Sequence, residues 1–175
     1  ILERLSLLCL TPSAGNPSCL VQAKNTSLKV RSCVLYGQKE HETNVFSSVS
    51  ASPTDTTEFD ACMIIGEAYS PWYSWSRITV SNSIWLGGPS YVRGGFRLNN
   101  VLLPTSGFGA WSAGELHGCT MAGQLSVGPD DVAVNCIMPS VKSGKEGARI
   151  EFCNVHAAIP FIDSAKPGQG SFAGA

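Results

Sequence analysis

Seven cysteines and three histidines are the side chains here with the widest range of possible chemistry. Along the chain, His41, Asp60, Cys136 and His156 follow the order base, acid, thiol and second imidazole. A thiol becomes a nucleophile when a neighbouring imidazole favours its thiolate. It also needs backbone N–H groups turned toward the developing oxyanion. Small residues around the thiol let those groups turn inward, but the chain reads Val134-Asn135-Cys136-Ile137. Cys119, in His117-Gly118-Cys119-Thr120, has a glycine before it and none after it. No catalytic residue is therefore assigned.

Metal and cofactor chemistry fare no better. Cys9, Cys19, Cys33, Cys62, Cys119, Cys136 and Cys153 contain no Cys-x-x-Cys pair of the metal-knuckle kind. Their odd number fits buried reduced thiols better than a disulfide framework. Asp130 and Asp131 follow Gly128-Pro129, a turn signal, and read as a turn rather than a cation site. No glycine-rich phosphate loop precedes a helix, and Ser143-Gly144-Lys145 has the wrong neighbours for one. We expect no cofactor and no metal. Lys24, Lys29 and Arg31 read as the solvated face of a strand, with a phosphate-facing strip as the alternative.

The elements that would position these groups read as β throughout. Period-two alternation runs over residues 28–36 and 96–103, with shorter apolar runs at 59–65, 78–80, 84–86, 121–127, 132–138, 148–155 and 157–162. Residues 142–147 read as a hairpin-like connection, and a short helix is allowed at 72–76 after Pro71. No internal repeat is evident. Short strands with Gly/Pro turns predict an antiparallel β-sandwich, a jelly roll being the member of that class expected here. The expected organisation is an extended N-terminal arm (1–20), a sandwich domain (21–163) and an extended C-terminal tail (164–175).

Composition points to assembly. The chain has 175 residues, 43% hydrophobic and only 14% charged, with a net charge of -1. Charge is sparse against the soluble average of about a quarter, so neighbours are expected to cover part of the surface. There is no global basic field for nucleic acid. The apolar leader (1–10) is too short to span a bilayer and lacks signal-peptide flanks, and no membrane partner is expected. The chain does not begin with Met, as in one cut from a precursor or represented only in part. Asn25-Thr26-Ser27 is an isolated glycosylation acceptor.

Residues 62–99 hold three of the four tryptophans and three of the four tyrosines. Within them stand Gly66-Glu67, the Trp72 to Trp75 run, Arg77, and then Tyr91-Val92-Arg93-Gly94-Gly95 opening a strand. This stretch resembles capsid proteins of picornavirus-like viruses (dicistrovirus, iflavirus, marnavirus and plant secovirus types), although the basic cluster of that family is reduced to Arg77. The resemblance implies a jelly-roll coat subunit in an icosahedral virion, made in the host cytoplasm. Its partners would be copies of itself or sister coat proteins, with non-specific contact to genomic RNA. Trp72, Trp75, Tyr91 and Phe172 are the interface residues expected. Two alternatives stay open: a picornavirus-type cysteine protease, which the order His41, Asp60, Cys136, His156 resembles, and a secreted β-sandwich binding domain with a glycan on Asn25.

Overall fold

The computed structural model describes residues 1–8, 19–37, 44–69, 75–91, 95–104, 108–109, 114–128, 130–143 and 148–155. Among them every strand pairing is parallel, and there is no helix. The molecule is a parallel β-solenoid. An eight-stranded sheet 1 runs through Leu2–Glu3, Leu28–Arg31, Thr56–Asp60, Arg77–Ser81, Phe96–Asn99, Gly114–His117, Val132–Val134 and Arg149–Glu151. Sheet 2 carries the strand that follows each of these, from Ser6–Leu8 and Val34–Tyr36 to Ile137–Met138 and Asn154–Val155. Sheet 3 holds Phe108–Gly109, Leu125–Val127 and Val141–Ser143.

The antiparallel sandwich and its jelly roll are thus corrected. The physical reason lies in one turn. Arg4, Ser32, Ala61, Asn82, Asn100, Gly118, Asn135 and Phe152 all have φ between 49° and 62° or close to it, the left-handed region. One such residue breaks the strand and swings the chain from sheet 1 into sheet 2, so what reads as one strand at 28–36 or 59–65 is two. The next rung then stacks in register roughly 17 to 29 residues later. Residues 142–147 are likewise no hairpin, because Val132–Val134 pairs parallel with Arg149–Glu151. Residues 1–8 form the first rung, with Leu2 beside Val30 and Leu7 beside Leu35.

Sequence alternation still sets which side faces in. The inward column of sheet 1 stacks Val30, Phe59, Val80, Leu98, Leu116 and Ala133. That of sheet 2 stacks Leu35, Ile64 and Trp85, then Leu103, Met121 and Met138 in later rungs, all buried. The Trp85 indole N–H donates to Gly66 O at 3.0 Å, so its polar end is satisfied inside the core. Cys19–Lys24 and Asn44–Val49 extend sheet 2 sideways, and Phe46 meets Phe59 edge-on at 5.2 Å. Gly114 is obligatory for a simpler reason: the Phe96 ring of the rung before fills its side-chain position, 2.0 Å from where a Cβ would stand.

One column position breaks the apolar rule. Thr57 stacks between Leu28 and Ile78, is fully buried, and its hydroxyl has no hydrogen-bond partner among the described residues. An unpaired buried hydroxyl costs on the order of 1 kcal/mol or more. Thr57→Val keeps the β-branched shape and removes that cost. Chemical denaturation should show it more stable than the parent by about 1 kcal/mol.

Candidate functional site

Five of the seven cysteines fall into one column. Cys33, Cys62, Cys119, Cys136 and Cys153 each follow the left-handed turn residue, with Ser83 and Val101 in the same place in the two intervening rungs. Each thiol donates to the carbonyl two residues back: Cys33 to Arg31 O at 3.1 Å, Cys62 to Asp60 O at 3.2 Å, Cys136 to Val134 O at 3.3 Å. Ser83 Oγ does the same to Ser81 O at 2.6 Å and accepts the Cys62 N–H at 3.0 Å. The column thus locks the corner between sheets 1 and 2. The five cysteines of this column are free thiols, buried except for the half-buried Cys153.

This arrangement suits structure better than nucleophilic attack. Burial pushes the Cys62 and Cys153 thiols up. In the stacked Cys119–Cys136 pair, the hydrogen bond between them holds Cys119 down and Cys136 up, and burial opposes charge on both. His117 points out of sheet 1, near Glu115, while Cys119 faces the interior. Asp60 and Cys136 lie four rungs apart, about 19 Å at the usual strand spacing. His41 and His156 lie outside the described residues.

Asp131 is a structural staple. Its buried carboxylate accepts the N–H of Gly114 from the preceding rung at 2.7 Å and that of Gly128 in its own turn at 2.5 Å. Sequence reading found the turn and missed the inter-rung bond, which local spacing does not encode. Among the described residues no cluster of three potential metal ligands exists.

The two outward faces differ sharply. Sheet 1 carries charges that pair along the stack: Lys29 with Glu58 at 2.9 Å, Arg97 with Glu115, and Arg149 with Glu151 at 2.9 Å within one rung. A phosphate-facing strip at Lys29 is therefore already partnered by a carboxylate. Beside them Asn82 Nδ2 donates to Asp60 Oδ1 at 3.0 Å and Asn100 Nδ2 to Asn82 Oδ1 at 3.1 Å. Sheet 2 instead presents Val34, Met63, Ile84, Leu102, Thr120 and Ile137 in one register column, with Tyr36, Ile65 and Leu86 in the next. Val34, Tyr36, Met63, Ile84 and Ile137 are 38–41% exposed, and no position in either column is charged. A shallow groove of about 380 Å³, lined by Cys33, Val34, Met63, Asn82 and Ile84 among others, runs along its edge.

Of the interface residues expected from sequence, Trp75 is 48% exposed, and its backbone N–H donates to Ser50 O at 2.8 Å. Tyr91 ends the strand Ile84–Tyr91 in sheet 2, and its side chain lies outside the description. Trp72 and Phe172 lie outside the described residues, as do the segment 157–162 and most of the expected 72–76 helix. Asn25 is exposed in a left-handed turn, its N–H bonded to Val49 O. No helix among the described residues is long and apolar enough to cross a membrane. Comparison with protein-family models, with curated proteins and with solved structures finds no match to this chain.

Two outcomes follow. Asp131→Ala orphans the buried Gly114 N–H and the half-buried Gly128 N–H and should cost about 2–4 kcal/mol in chemical denaturation. The raised thiols of Cys62, Cys136 and Cys153 bind protons more tightly folded than unfolded. Their contribution is complete below the ordinary thiol value near 9.0 and is lost as pH climbs above it. Stability measured from pH 7 to 11 should accordingly decline from about pH 9 upward, and less steeply in Cys62→Ser.

Proposed function

We propose that this chain is a structural assembly module, a β-solenoid that works by presenting a surface and performs no reaction. The observation that carries the reading is the uncharged apolar ladder on the outside of sheet 2, opposed to a sheet 1 that carries charged side chains, six of them in ion pairs. Exposed apolar side chains aligned over successive rungs make a continuous patch, and such patches mark interaction sites. The chemistry-bearing side chains support the same reading: the described thiols are turned inward as corner locks, and Asp131 is spent on backbone N–H groups.

The coat-protein expectation drew its geometry from a wedge-shaped jelly roll, which this fold does not supply. What carries over is the part that needs no jelly roll, a chain that builds a larger assembly through apolar contacts. The ion-paired face of sheet 1 gives no particular support to an RNA-contacting role. Sedimentation velocity of the intact chain at micromolar concentration tests the reading. Self-association or co-sedimentation with a protein partner is expected, and a well-behaved monomer that captures no protein partner would overturn it.

A further inference from the structure

Resting on that reading, we propose that the outward face of sheet 2 docks on the same face of a second copy, in a two-fold dimer centred on Met63 and Ile84. Charge decides the occupant. From Val34 to Ile137 the register column holds only apolar side chains and one threonine, with Tyr36, Ile65 and Leu86 beside it. A charged partner would be desolvated against it with nothing to pair with. Among the described outward faces of the two long sheets, sheet 1 is ruled out as the counterpart by its Lys29–Glu58, Arg97–Glu115 and Arg149–Glu151 pairs. The surface that matches an uncharged ladder in chemistry and in rung spacing is another copy of itself.

Size sets the strength. The half-exposed residues of the two columns offer on the order of 500 Å² per copy, so a pair would bury about 1,000 Å², the lower bound for a specific interface. The dimer should then be reversible and micromolar rather than obligate. An isologous contact uses one patch twice and closes at two copies, leaving no apolar ladder free to propagate. Met63 and Ile84 stand side by side in register where both columns are complete, so they occupy the dry centre where truncation costs most.

The test is sedimentation equilibrium of the full chain between about 1 and 100 µM, beside Ile84→Lys and, separately, Met63→Lys. Circular dichroism and a denaturation curve establish that each variant is folded. The parent should reach dimer mass within this range, and either lysine should weaken it at least about tenfold. Should one variant fail to fold, the other carries the comparison. A parent that self-associates equally well with folded variants at these positions would overturn the face assignment and leave the assembly reading standing. A parent that stays monomeric at 100 µM would overturn the dimer outright, and the assembly reading would then depend on capture of a different protein.

Discussion

The left-handed residue at each corner is the constraint on which the rest of this molecule depends. It ends a strand of sheet 1 just after an outward side chain such as Arg31, Asp60 or His117, and a strand of sheet 2 starts two positions later. Because it recurs at Ser32, Ala61, Asn82, Asn100, Gly118, Asn135 and Phe152, successive rungs meet in exact register. Register in turn decides which side chains stack, and a slip of one residue would invert every column. Asn and Gly suit that conformation, whereas Ala61 and Phe152 are held in it against their preference. The corner is reinforced from inside by the thiol and hydroxyl column and from outside by the Asp60–Asn82–Asn100 chain.

Stacking in register makes each face a copy of one sequence position. On sheet 1 one outward column sets opposite charges side by side twice, Lys29 beside Glu58 and Arg97 beside Glu115, with the uncharged Thr79 between the pairs and Val132 after the second. Apolar residues at the sheet 2 position add up to a ladder instead. Such exposed pairs contribute modestly to stability, yet they leave sheet 1 solvated. The contrast between the faces, more than any single residue, is what gives the molecule a direction in which to bind.

Much of this was legible in the sequence, and the missing part has a definite cause. Alternation correctly marked β structure, and at 28–31 and 96–99 it separated the inward Val30, Phe96 and Leu98 from the outward Lys29, Arg31 and Arg97. It could not reveal parallel pairing, since a strand alternates identically in either orientation. The repeat was present as a left-handed-prone residue followed by Cys or Ser, at Ser32-Cys33, Asn82-Ser83, Gly118-Cys119 and Asn135-Cys136. Uneven spacing hid it, because the early rungs carry long excursions such as Cys19–Lys24 and Asn44–Val49 while the later ones do not. Cysteines counted as an odd set gave no framework; read as a column, Cys119, Cys136 and Cys153 fall at a constant interval. The aromatic cluster drew attention to Trp72 and Trp75, while the uncharged ladder was scattered over distant segments and became visible only once they stacked.

Parallel in-register stacking is the claim from which both faces derive, and nuclear Overhauser contacts in the intact protein test it most directly. The account predicts contacts linking Leu98 to Leu116 and Leu116 to Ala133, together with side-chain amide contacts between Asn82 and Asn100. Close Hα–Hα contacts between the strands Val132–Val134 and Arg149–Glu151, which the short cross-strand distances of antiparallel pairs produce, would contradict it.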